Sequence, residues 1–375
     1  VDWQQIRHRL HNAAELSGRE ENTSRIVRSL LETFDPDQLL HGIGGHGLAA
    51  VFGDSAHGPR VLLRSELDAL PIDESIDLPH KSATANVSHK CGHDGHMTML
   101  AGVAHQLSQD RPKRGSVVLL FQPAEETGEG AERVLADPAF ETIRPDFAIA
   151  LHNLPGYPLG HVLLRSGVFA AASSGLIAEL KGATSHAAEP HRGRSPALAV
   201  AELIQAISAA PQYFTALHES AQATVIHARV GQVAFGTSPG EGTVMATLRS
   251  YSDATMRSLR TRIMSLARDI AAAHQLEIAI RTTEVFPVTE NDPDVAEIVQ
   301  TAAEQLGLTV HRPEVPFAWS EDFGNFAAAC PGVLFGLGAG ENHPALHNPD
   351  YDFPDELLPA GVNILSAAAK KLLQR

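Results

Sequence analysis

Eight consecutive positions, the string HKCGHDGH at residues 89–96, hold three histidines, an aspartate and one of only two cysteines in the chain. Thiolate, imidazole and carboxylate together are the donors that borderline-soft divalent ions take. Cys91 and His93 flank a single glycine, a spacing that lets both side chains turn to one point. Glu125 and Glu126 follow the apolar run LLFQPA, and adjacent carboxylates at a strand end can divide labour, one binding metal while the other faces a water. His152 follows AIAL, and His347 lies in HPALHNPDYDF. Each has a plainer explanation when taken singly: a histidine beside an apolar strand is usually a hydrogen-bonded structural residue, a Glu pair a solvated helix start, and a buried cysteine a small hydrophobe. Jointly, at the ends of strands in one sheet, they point to a metal.

The segments between them must supply that sheet. GLAAVFGD, PRVLLRSELD, GSVVLLFQPAEE and DFAIALHN read as strands, while EENTSRIVRSLLETF, with Thr23 or Ser24 as its N-cap, and GHMTMLAGVAHQLSQ carry the helical period. Strands alternating with helices imply an α/β protein with a mainly parallel sheet, in which chemistry gathers where strands end. From about residue 173 the order becomes strand, helix, strand, strand, helix, strand, the split βαβ pattern of a ferredoxin-like sandwich. The expected organisation is therefore a discontinuous domain over 1–172 and 284–375, interrupted by an inserted α+β domain over 173–283.

Composition excludes other classes. With a net charge of −15 and no Lys/Arg block, nucleic acid and anionic membrane are not expected partners. No apolar run is long enough to span a bilayer. Two cysteines make no disulfide framework, which suits a reducing compartment such as the cytoplasm.

The segments LLRSELDALPIDE, HKCGHDGHMTMLAG, LLFQPAEETGEGA, ALHNLPGYPLG, GATSHAAEPHRG, SEDFGNF and LHNPDYDF, with LHNAAELSGREENT at the start, resemble in order the amidohydrolase branch of the M20 metallopeptidase family. That branch holds N-acyl-amino-acid, hippurate and indole-acetyl-amino-acid hydrolases. The resemblance implies a metal-dependent amidohydrolase that cleaves the amide of an N-acyl or N-aroyl amino acid or a similar small amide. The alternatives are dipeptidase or carboxypeptidase-like activity on the same centre and, in a different class, a non-catalytic small-molecule-binding protein on this scaffold.

Carried over residue by residue, the resemblance implies two divalent ions per subunit, zinc, manganese, nickel or cobalt, held by Cys91, His93, Glu126, His152 and His347. Glu125 takes the place of the general base and His186 that of a lid histidine reaching the neighbouring subunit's metals in a homodimer paired through the insert. Asp94 stands where wider relatives keep a metal-bridging aspartate and here supports the ligands or joins them occasionally. Asp68 falls where a carboxylate orients the site, and Glu66 where wider relatives have a histidine ligand. Arg249 and His191 are the candidates for holding substrate. The chain departs from its relatives in GATSHAA, where they usually carry GKGGHAA, in AFGTSPGEG, which has no asparagine near Gly236, and at Arg194-Ser195.

Overall fold

Apolar runs bounded by glycine, proline or charge build an eight-stranded sheet from β1 (Gln38–Ile43), β2 (Gly47–Asp54), β3 (Arg60–Glu66), β4 (Gly115–Gln122), β5 (Phe147–Leu154), β6 (Val162–Leu163), β11 (Val310–His311) and β12 (Gly332–Gly338). The intervening β7 to β10 belong to the insert described below. The computed structural model describes residues 1–375. The strand order is β1-β2-β4-β3-β5-β12-β6-β11. The pairs β4–β3, β3–β5 and β5–β12 are parallel. The pairs β1–β2, β2–β4 and β12–β6 are antiparallel, so the parallel centre carries antiparallel flanks. The reason at β1 is local: the turn into β2 passes through Gly44 and Gly45, both at positive φ, and so short a connection cannot make a parallel crossover.

Central strands β4 and β12 are buried along their whole length, so helices must cover both faces. Chief among them is α3 (His93–Gln109), which packs against α1 (Trp3–Asn12) and α7 (Leu358–Leu372). Met97, Met99, Leu100 and Val103 of α3 are fully buried, and each such side chain contributes roughly 1.5–3 kcal/mol. Gly95 lets α3 approach Phe353, whose ring would lie 2.3 Å from any Cβ there. The helix that begins at His93 is thus fixed by the core itself. Helix α2 (Glu21–Glu32) starts two residues before the expected cap. Thr23 lies inside it, buried, and the first-turn amides of Asn22 and Thr23 donate instead to the Glu15 carboxylate at 3.2 and 2.7 Å. Asp292 caps α6 (Pro293–Gln305), accepting from the amides of Asp294 and Val295.

The chain divides into two compact units, the first made of Val1–Phe169, Thr289–Pro316 and Glu321–Arg375 and the second of Ala170–Val288 and Phe317–Ser320. The second unit contains β7 (Ala172–Lys181), α4 (Ala197–Phe214), β8 (Gln222–Val230), β9 (Glu241–Ser250), α5 (Asp253–Ala273) and β10 (Glu277–Phe286). Its sheet runs β8-β9-β7-β10, antiparallel throughout, in the split βαβ order. Along β9 burial alternates, and Val244, Ala246 and Leu248 face a core shared with Leu203 and Ile207 of α4 and Leu259 and Ile263 of α5.

Candidate metal centre

Four chain segments of the first unit present the predicted donors. Cys91 and His93 flank the turn into α3, where Gly92 has φ +91 and any Cβ would lie 2.4 Å from the Asn153 carboxamide oxygen, so glycine is required on both counts. β4 leaves the sheet through Ala124, held at φ +53 with its N–H on Glu20 Oε1 at 2.8 Å, and Glu125 and Glu126 follow. His152 stands near the end of β5, in register with Gly336 of β12. His347 occupies φ +65, and its N–H donates to the Lys90 carbonyl at 2.8 Å.

These segments bring the side chains together. Cys91 Sγ lies 3.4 Å from His152 Nε2 and also 3.4 Å from His347 Nε2. His93 Nε2 lies 3.9 Å from Glu126 Oε1 and 4.0 Å from Glu125 Oε2, and His347 Nε2 is 3.9 Å from Glu126 Oε2. Three overlapping groups each gather one donor atom per residue within 4.8 Å: Cys91, His93 and His152; Cys91, Glu126 and His347; His93, Glu125 and Glu126. Cys91, His93 and Glu126 are each shared between two of these groups, and His93 also belongs to a group with Glu66 and His96.

Supporting residues aim the donors. His93 Nδ1 is 2.8 Å from the main-chain oxygen of Asp68, which turns Nε2 inward. Asp68 Oδ2 accepts from the Glu126 amide at 3.0 Å and from Ser17 Oγ at 2.7 Å. His152 Nδ1 donates to the Asn153 carbonyl at 2.9 Å. Asp94 Oδ2 accepts from His11 at 2.8 Å and from Arg7 at 3.3 Å, and Oδ1 is buried without a hydrogen-bond partner.

Electrostatics fit a cation. Burial and the carboxylates of Glu126, Glu125 and Glu66 push the Cys91 thiol well up. Burial, Glu321 and Glu126 push Glu125 up, against Arg64. Burial raises Glu126 to about 7, with His93 opposing. Burial works against a charged His93, but Asp68, Glu66 and Glu126 outweigh it and lift it to about 10. Burial and His96 lower His152 to about 3, keeping it neutral and able to donate a lone pair. The cluster therefore holds protons where positive charge is needed, and metal binding releases such protons. His93 Nε2 and Glu126 Oε1 are moreover buried with no hydrogen-bond partner, which costs about 1–3 kcal/mol each and which a bound ion would relieve. The donor set fits divalent metal.

Three predicted residues lie in the second unit. His186 is exposed, paired across a short ladder with Thr237, and its Nδ1 accepts from the Ala188 amide at 3.1 Å. His191 sits in the exposed turn Pro190–Arg192. Arg249 donates to the Ala318 carbonyl at 2.8 Å and to Ser320 Oγ at 3.0 Å.

Sequence reasoning passed over a buried layer behind the donors. Arg64 bonds Glu66, Glu321 and Asp322, and His96 reaches Glu66 Oε2 at 2.8 Å. The signal for His96 was available, since it follows His93 by three residues on one helix face. Arg64 and Glu321 are 257 residues apart, and no spacing rule connects them.

The model for the peptidase family M20/M25/M40 matches residues 62–371. The chain is 30% identical over 378 residues to hippurate hydrolase of Campylobacter jejuni, covering 100% of this chain and 97% of that one. It is 31% identical over 373 residues to N-acetyl-L-cysteine deacetylase of Bacillus subtilis, covering 98% and 87%. In fold it is similar to a dinuclear metal binding peptidase from the M20 family of Bacillus subtilis, with a TM-score of 0.82 and 24% identity over 99% of this chain and 97% of that one.

Proposed function

The chain belongs to the peptidase family M20/M25/M40, and from this premise we propose how its residues divide the work of amide hydrolysis. The protein is a metal-dependent amidohydrolase that separates an acyl group from the nitrogen of an amino acid. Hippurate and N-acetyl-L-cysteine, the substrates named for two relatives, are an aroyl and an acyl amino acid, and both kinds are assigned to this chain. Cys91, His93, Glu126, His152 and His347 hold two divalent ions, and the thiolate and imidazoles select zinc, nickel, cobalt or manganese over magnesium. When bound, the ions acidify a water and polarise the amide carbonyl.

The remaining steps fall to side chains. Glu125 takes the proton from the water and delivers it to the departing amine nitrogen. Burial and its acidic neighbours hold its carboxyl well above the usual carboxylate range, against Arg64. His186 donates a hydrogen bond to the oxyanion: because its Nδ1 accepts from Ala188, its neutral form carries the proton on Nε2. Arg249 and His191 are the residues assigned to contact substrate.

His186 acts across a homodimer formed by the inserted domain, residues 173–283. Supporting that reading, β8 is an edge strand of its sheet, and Ile226 and Val230 stand exposed on it. Both cysteines are free, which suits the cytoplasm.

The observation that carries the proposal is the convergence of the five donors, two of whose atoms, His93 Nε2 and Glu126 Oε1, are buried without a hydrogen-bond partner. The test is to strip the protein with chelator, reload it with each of the four metals, and assay N-acetyl and N-benzoyl amino acids beside dipeptides. Hydrolysis of the N-acyl compounds supports the reading. Activity on dipeptides alone would favour a dipeptidase, and no activity with any metal would leave a binding protein.

A further inference from the structure

Asn153 supplies no donor, yet it touches three of the segments that do. Its main-chain oxygen accepts from His152 Nδ1 at 2.9 Å. Its carboxamide oxygen lies 2.5 Å from His96 Nε2, one helical turn beyond His93, and its carboxamide nitrogen donates to the Tyr351 hydroxyl at 2.5 Å, four residues beyond His347. The same carboxamide fills the space that a Cβ on Gly92 would need, directly between Cys91 and His93. Asn153 is fully buried.

We propose that Asn153 is the positioning residue of the metal centre, its carboxamide fixing the Cys91–His93 turn and the His347–Tyr351 turn against the strand end that carries His152, whose ring its main-chain oxygen holds. A buried asparagine is ordinarily just a satisfied polar group. This one differs in that its polar ends go to different ligand-bearing segments. Each of those segments is itself braced: Lys90 Nζ donates to the Tyr351 carbonyl at 2.7 Å, and His96 Nδ1 is anchored by Glu66 at 2.8 Å. Removing the carboxamide takes away its contacts with His96 and Tyr351 and its packing against Gly92, while leaving the Lys90–His347 and Lys90–Tyr351 bonds and all five ligands in the chain. Partners that orient ligands govern metal affinity in this way. The inference rests on the reading of Cys91, His93, His152 and His347 as ligands.

The test compares wild type, Asn153→Ala and Tyr351→Phe in three measurements: zinc affinity by competition with a chelating indicator, the visible spectrum of the cobalt-loaded protein, and the melting temperature of the metal-free protein. Wild type is loaded first, because failure to take up either ion would overturn the ligand assignment and this inference with it. Asn153→Ala should weaken zinc binding about 10- to 100-fold and shift the cobalt bands. Tyr351→Phe, which removes one hydroxyl and keeps the ring, should weaken it in the same direction by roughly two- to tenfold. A purely structural role would lower the metal-free melting temperature but leave affinity and spectrum at wild-type values, and that result overturns the inference while sparing the metal centre. If Asn153→Ala does not fold, Tyr351→Phe decides alone.

Discussion

His93 is bound at Nδ1 by the main-chain oxygen of Asp68, 2.8 Å away, and this one contact leaves Nε2 to face Glu125 and Glu126. The other, Nε2, is buried and unpartnered. Through its carboxylate the same Asp68 accepts the Glu126 amide, so a single residue aims two donors from two different segments. Two of the proposed metal donors are thus held in place by one residue.

Removal of metal should abolish hydrolysis, and a divalent transition ion should restore it. Cys91→Ala and Glu126→Ala should lose metal content and rate together, because the donor itself is gone. Elemental analysis beside the assay checks this, and full activity in verified metal-free protein would contradict the mechanism.

Glu125→Gln keeps shape and hydrogen bonding but removes the base. Metal content should stay at the wild-type level while turnover falls by about 100-fold or more. Wild-type turnover in this variant would reassign the base.

Mixing inactive His186→Ala protein with inactive Glu125→Gln protein, and allowing subunits to exchange, should restore roughly a quarter of wild-type activity. Half of the random dimers are mixed, and each has one working site of two. No recovery despite proven exchange would mean that His186 serves its own chain or none.

Stability should fall with rising pH through the ion network behind the metal turn. Burial opposes a charged His11, but hydrogen bonds to Asp94 and Glu74 outweigh it and raise the group from 6.5 to about 9. A raised folded value means that the stabilisation is fully present below pH 6.5 and is lost as pH climbs through 9. The slope is on the order of 1 kcal/mol per pH unit in that window. Denaturant unfolding of wild type and His11→Gln at pH 6.5 and pH 9 should show a smaller loss in the variant, and equal losses would refute the assignment.

Local chemistry made much of this legible in advance. The apolar runs of β2 to β5, the long periodic helices α3 and α5 and the strand order of the insert are all written in short-range pattern. The strings around Cys91, Glu126 and His152 stood out because Cys91 adjoins a glycine, Glu126 follows an apolar strand and His152 lies near the end of another; His347 stood out by the resemblance of LHNPDYDF alone. What stayed hidden depends on distant partners. The cap of α2 comes from Glu15, outside the helix, so Thr23 and Ser24 offered a misleading signal. Strand β1 (burial mixed, no alternation) had no periodicity to read. The Arg64 network and the role of Asn153 arise only when remote strands and turns meet, since Asn153 and Tyr351 are 198 residues apart.

The left-handed backbone at His347 has a further meaning for how this protein could change. A histidine at φ +65 costs of order 1 kcal/mol relative to a relaxed conformation, and this one is half exposed, with little packing to lose. His347→Gly should therefore leave the metal-free fold as stable as before or firmer by up to about 1 kcal/mol, while the loaded protein forfeits a donor. Thermal melts with and without zinc would separate the two effects. Selection for stability alone would drift toward glycine at this position. On the proposed ligand assignment, a histidine at this position sets metal binding against the backbone's own preference, so that activity and robustness pull in opposite directions.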